Sequence, residues 1–165
     1  MDILDRLLGH DGWTTRQLLI RCHELTDEQL DREFDIGHRS LRRTLLHMIR
    51  NMEVWTDLMS GQPVRFDQGS EPTGRSVDGL LKRLETVSVE LATMATRIVR
   101  DGRLDQLWVD YLDNPPTQKS YGGAITHVIT HSMHHRAQVL YLLRRLGLKE
   151  LIEGDVLSWE AQLGK

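Results

Sequence analysis

The stretch Thr126-His127-Val128-Ile129-Thr130-His131-Ser132-Met133-His134-His135-Arg136 gathers four of the chain's 8 histidines. It contains neither Gly nor Pro, and Val128, Val139 and Leu142 continue an apolar stripe at helical spacing. The reading is a long helix over about Gly123 to Leu146, stopped by Gly147. On a helix, residues four apart lie about 40° apart around the axis. His127, His131 and His135 therefore form one slowly drifting row. His131 and His135 share the face of Val128, Val139 and Leu142, which should turn inward. His134 lies about 100° from His135, towards the flank with Gln138 and Arg145. A helical core has little reason to hold several imidazoles, because each buried ring needs partners for both nitrogens. The same residues that predict the helix thus predict a site on its inner face.

Working outward, the chain alternates helix-like stretches with breaker-rich gaps. Asp2 to about Leu25 reads as a first helix, with Leu4, Leu7, Leu8, Leu18, Leu19 and Cys22 near helical spacing. Thr26-Asp27-Glu28-Gln29 reads as a cap and one short turn. A second long helix should run from Ser40, its N-cap, to about Ser60, where Gly61-Gln62-Pro63 ends it. Residues 61–75 read as a loop, long enough to border a site. A third helix is expected from Ser76 to about Arg100, with Leu80, Leu84, Val87, Leu91, Met94 and Ile98 on one stripe. Leu107 to Leu112 and Thr117 to Tyr121, joined by Asp113-Asn114-Pro115-Pro116, read as a small irregular hairpin. A short last helix over about Glu153 to Gln162 completes the chain, with Trp159 packing inward. The expected fold is all-α: a four-helix bundle with a small hairpin before the last long helix and a short C-terminal helix.

Composition bounds the function. The 165 residues, 39% hydrophobic and 27% charged, form one domain's worth of sequence, read as a single domain over 1–165. The lone Cys22 excludes an intrachain disulfide and any CxxC motif. A net charge of -3 argues against a nucleic-acid partner. No apolar run approaches the roughly 18 residues of a membrane span, and Met1-Asp2-Ile3-Leu4-Asp5-Arg6 lacks the features of a signal peptide. The expectation is a cytoplasmic protein with neither nucleic-acid nor membrane partners.

Two histidines at i and i+4 can bring nitrogens onto one metal ion. No Glu follows the first His, so the motif is not a zincin's. The third ligand expected from another helix is His47, which shares a face with Thr44, Asn51, Trp55 and Leu58. One inward His is an ordinary core residue; three on two helices of one small fold point to a metal. Three imidazoles leave coordination positions for water or substrate. They suit zinc, nickel, copper or iron. His127, His134, Gln138 and Asn51 are candidates to support the ligand rings; for His127 a place outside the site, and for His134 a structural contact to another helix or a dimer partner, stay open. His10, His23 and His38 read as surface or cap residues, Cys22 as core, Arg136 as a surface or interface residue, and Glu53 as a salt-bridge residue off the metal face.

These residues resemble the DinB/YfiT-like superfamily of metal-binding four-helix bundles. Ser40-Leu41-Arg42-Arg43-Thr44-Leu45-Leu46-His47, with Glu53 and Trp55, resembles that family's first motif. His131-Ser132-Met133-His134-His135-Arg136-Ala137-Gln138 resembles its HxxxHRxQ signature. Gly12-Trp13 to Leu19 sits where the family has a Trp-Ala-Asn-like segment, from which Thr14-Thr15 departs. The resemblance implies a long crossover connection, a metal triad of His47, His131 and His135, a divalent ion such as nickel or zinc, and a homodimer. Some relatives are thiol S-transferases that use low-molecular-weight thiols. Three readings stay open here. The first is a stress or detoxification enzyme that acts on a small-molecule substrate, with a metal-activated thiolate attacking an electrophile or with metal-bound water hydrolysing it. The second is a non-catalytic metal- or ligand-binding dimer. The third is a bundle whose histidines are merely core.

Overall fold

The computed structural model describes residues 1–164 and is mostly helical. The elements are α1 (Ile3–Arg21), α2 (Asp27–Asp31), α3 (Leu41–Met59), α4 (Pro72–Arg75), α5 (Val77–Arg100), β1 (Leu107–Asp110), β2 (Thr117–Ser120), α6 (Tyr121–Arg145) and α7 (Val156–Leu163). Short polar side chains start most of the helices by accepting from otherwise unpaired first-turn amides. Asp2 and Thr26 do so within reciprocal capping boxes, and Ser40, Ser76, Ser120 and Asp155 by single side chains. Positive-φ glycines follow several helices, at Gly61, Gly102 and Gly147. The first long helix ends at Arg21 rather than Leu25, and Cys22–Glu24 tighten into a 3-10 turn. The stretch read as a plain loop over 61–75 contains the short α4, entered through Pro72 at its first turn.

The four long helices share one core. α3 packs on α6 and α5, while α1 packs on α5 and α6. Consecutive long helices α1 and α3 thus face each other across the diagonal, as do α5 and α6. The hairpin lies on the second crossing: β1 and β2 pair antiparallel, with Trp108 opposite Lys119 and Asp110 opposite Thr117. Leu18 and Leu19 of α1, Met48 and Ile49 of α3, Leu84 and Leu91 of α5 and Val139 and Leu142 of α6 are nearly inaccessible and belong to one continuous cluster. Each such buried aliphatic side chain contributes about 1.5–3 kcal/mol of transfer free energy.

Two buried ion pairs tie helices together. Glu53 of α3 holds Arg83 of α5 through both carboxylate oxygens, at 2.9 and 2.8 Å. Arg136 of α6 pairs with Asp11 of α1, and both are buried. The surface or interface reading of Arg136 is therefore wrong. Its helix flank meets α1 rather than solvent, and the buried Asp11 supplies its countercharge. His10 is likewise no surface residue: it is buried, and its Nε2 lies 2.8 Å from the Gly154 carbonyl oxygen. That bond helps dock the tail, as does Trp159 of α7, whose ring covers Gly9. Among the described residues, no helix is long and apolar enough to cross a membrane.

Candidate metal centre

Four imidazoles meet between α3, α6 and the turn that enters α3. His47 projects from α3, one side of which packs on α6. His131 and His135 stand one turn apart on α6, as the i, i+4 spacing predicts. The Nε2 atoms of His47 and His131 are 3.0 Å apart, and those of His131 and His135 are 3.2 Å apart. Two nitrogens bound to one tetrahedral ion by bonds of about 2.0–2.1 Å stand about 3.3–3.4 Å apart. The observed spacings are close to that. The fourth ring is His38, stacked on His47 with centroids 3.8 Å apart and 5.2 Å from His135. His38, His47 and His135 each offer a nitrogen within 4.8 Å of the other two, close enough to hold a metal ion.

The tautomers favour a cation at this point. His135 Nδ1–H donates to Gln138 Oε1 at 2.8 Å, which leaves its Nε2 as a bare lone pair. The amide of Gln138 in turn donates to His134 Nε2 at 3.0 Å. His131 Nε2 faces two other Nε2 atoms, and one proton can bridge only one of these contacts. A cation at His131 Nε2 would remove that competition for a single proton. His131 Nδ1 is buried and has no hydrogen-bond partner among the described residues. Burial first, and then the neighbouring rings, push the pKa values of His47 and His131 down to about 4. Burial also lowers His38, and it lowers His135 against the opposing effect of its hydrogen bond to Gln138. The rings are thus neutral at neutral pH, the state a metal ligand needs.

A model of the DinB family matches residues 1–159. The chain belongs to the DinB family. Among solved structures it is similar to a DinB-like protein from Bacillus cereus ATCC 10987, with a TM-score of 0.64 and 21% identity, over 85% of this chain and 88% of that one. At that identity the likeness speaks for the fold. No curated protein is a significant match to the chain.

Within this DinB fold the other residues singled out in the sequence take distinct places. His127 is exposed one turn before His131, with its ring 5.4 Å from His131 and 5.0 Å from Trp55. It borders the cluster without a hydrogen bond to it. Asn51 does not reach an imidazole; its Oδ1 accepts from Trp55 Nε1 at 3.0 Å, and its Nδ2 is buried without a partner among the described residues. His134 acts within its own helix, through Gln138. Cys22 is buried, its thiol directed at the Leu18 carbonyl at 3.3 Å, and burial pushes its pKa up to about 12. It is a core residue. Glu53 forms the expected salt bridge.

The residue that sequence reasoning missed is His38. It stands two residues before the cap of α3, while His47 lies roughly 10 Å of helix rise further in. Linear spacing therefore separates them. The turn folds back along α3 through two positive-φ positions, Gly37 (φ 49) and Arg39 (φ 72). The Gly37 in Asp35-Ile36-Gly37 was the one legible sign of that reversal.

A cavity of about 460 Å³ opens beside the cluster, lined by Trp55, Lys119, Ser120, Gly123, Ala124 and His127. The hairpin borders it through Lys119 and Ser120. The 61–75 loop does not, because it closes against Glu53 and Arg83 in a separate cavity between α3 and α5.

Proposed function

We propose that this DinB family protein holds one divalent transition-metal ion on Nε2 of His47, His131 and His135, and that the ion serves a thiol S-transfer reaction. The observation that carries the reading is the convergence of those three nitrogens at 3.0 and 3.2 Å, with His135 oriented from behind by Gln138. Zinc or nickel is favoured and iron is a further option, since all accept imidazole. When bound, such an ion lowers the pKa of a thiol or water that reaches it.

The chain's own residues supply the rest. Burial keeps the imidazoles uncharged at neutral pH. The cavity beside His127 offers the aromatic wall of Trp55 to an electrophilic small molecule, and Lys119 stands 5.1 Å above that ring. Lys119 also pairs with Asp110 and with Asp113, the latter at 2.8 Å, so the two strands of the hairpin are braced against each other beside the cavity. No side chain is needed as a general base. The nucleophile is a low-molecular-weight thiol, and a hydrolytic variant would take water in its place.

The wider reading follows the family. The chain works as one four-helix-bundle domain in a cytoplasmic homodimer, in stress or detoxification chemistry, with neither nucleic acid nor membrane as a partner.

Elemental analysis of untagged protein tests the metal. The expected result is about one equivalent of ion per chain, lost in His131→Ala while circular dichroism keeps the helical signal. A conjugation assay with a small thiol and an electrophile then tests the reaction. Metal uptake without conjugation would leave a metal-binding bundle and remove the transferase reading.

A further inference from the structure

Three imidazoles make an open site, and the structure sets a fourth beside it. His38 contacts His47 and His135 but approaches from the turn before α3, whereas His127 and Trp55 border the cluster at its His131 end. Two nitrogens bound to one ion lie at most about 4.1–4.2 Å apart, twice a bond of about 2.0–2.1 Å. The nitrogens of His38, His47 and His135 already lie within 4.8 Å of one another. Bonding to the same ion therefore requires the His38 ring to leave its stack on His47.

The turn that carries His38 is built to keep it beside the cluster. Phe34 N–H donates to the Arg39 carbonyl at 2.7 Å, Arg39 N–H to Ile36 at 2.8 Å, and Ser40 N–H to His38 at 2.9 Å. Phe34 and Ile36 pack against the core. Arg39 adopts φ 72, a conformation that costs free energy for a non-glycine residue and persists only where the surroundings enforce it. At Gly37 an added Cβ would collide with the side-chain amide of Gln138, the residue that holds His135. The turn and the rear support of His135 are therefore in direct contact.

We propose that His38 is a fourth imidazole ligand, delivered by the 34–40 turn, which caps the metal on the α3-entry side and leaves approach to the ion from the Trp55–His127 cavity. The proposal rests on the metal-binding reading above and adds a ligand to its three. With His38 bound, four nitrogens would hold the ion, and a small ligand would reach it from the Trp55–His127 side.

The test uses cobalt(II) in the full-length protein, because its visible absorption reports coordination number and donor set directly. Wild type, His38→Ala and His47→Ala are compared for cobalt stoichiometry, affinity and spectrum, with circular dichroism on each. The expected result is one cobalt per chain in both wild type and His38→Ala, with affinity at least about tenfold weaker in His38→Ala and altered visible bands that added imidazole returns towards wild type. Unchanged affinity and bands in His38→Ala would overturn the fourth ligand while the metal site stood. Failure of well-folded wild type to take up cobalt, zinc or nickel would remove both readings. X-ray absorption on zinc-loaded wild type needs no variant to fold: four imidazoles around the ion support the proposal, and three refute it.

Discussion

At the scale of single residues, the site depends on which nitrogen of each ring carries a proton. Gln138 decides this for His135 by accepting from Nδ1. Replacing it by leucine keeps the bulk and removes the acceptor. Gln138→Leu is expected to weaken metal affinity about 10–100-fold, the usual effect of losing a group that orients a ligand from behind. A competition titration with a chelator checks this, and the circular dichroism spectrum should not change. The metal-free protein should also respond to acid in a defined window. His47 and His131 titrate near 4 when folded, against about 6.5 in an unfolded chain. Between these values the unfolded chain binds protons that the folded one refuses. Stability is therefore full above about pH 6.5 and falls as the pH drops towards 4. Asp57 and Asp155 are held below the usual carboxylate value and act only at lower pH. Urea midpoints of the metal-free protein should thus fall between about pH 7 and about pH 5, and a His47→Ala, His131→Ala double variant should flatten that fall. A midpoint indifferent to pH in this window would mean the rings are not buried as described. His47, His131 and His135 were legible because helical periodicity fixes which face each occupies. His38 was not, because its place is set by two positive-φ residues and a tertiary contact with Gln138.

At the scale of elements, boundaries were readable wherever a cap and a breaker bracket a periodic run. Ser40 and Ser76 start α3 and α5 where the sequence marks them, and the hairpin forms over the two stretches expected of it. α4 was hidden because a helix of one turn has no apolar period to betray it. The docking of α7 shows what periodicity leaves out. Trp159 was expected to pack inward, but its partner is a bare stretch of α1 backbone at Gly9, where a Cβ would stand 2.5 Å from the indole Cζ2. Glycine inside a helix normally costs about 1 kcal/mol relative to alanine. At this position the contact outweighs that propensity. Gly9→Ala should therefore destabilise the protein by about 1–3 kcal/mol, the usual penalty for overpacking a tight contact. The accompanying sign would be faster proteolysis between Gly147 and Asp155, as α7 lifts away with the His10–Gly154 bond. A gain in melting temperature in Gly9→Ala would show that propensity wins and that the Trp159 contact is slack.

At the scale of the whole molecule, the diagonal placement of α1 and α3 was not legible, because apolar stripes say that helices pack but not which pairs meet. The buried charges carry that information. Glu53 with Arg83 matches α3 to α5, and Asp11 with Arg136 matches α1 to α6. Both pairings join helices that are neighbours in the observed arrangement. Burying a carboxylate and a guanidinium is costly, and their attraction only roughly repays it. An arrangement that separated the partners would bury each charge alone. The pairs thus penalise the alternative packings that leucine stripes would tolerate. This argument predicts an asymmetry. Glu53→Ala strands Arg83 in the core, where, among the described residues, the Gly74 carbonyl remains its hydrogen-bond acceptor at 3.1 Å, and should cost about 3–5 kcal/mol. Glu53→Leu combined with Arg83→Met removes both charges and should cost much less, or even stabilise. Urea unfolding of the two variants measures the difference. If the single and double variants lose the same stability, the pair acts through its packing volume, and the choice of neighbours must come from the shapes of the apolar faces.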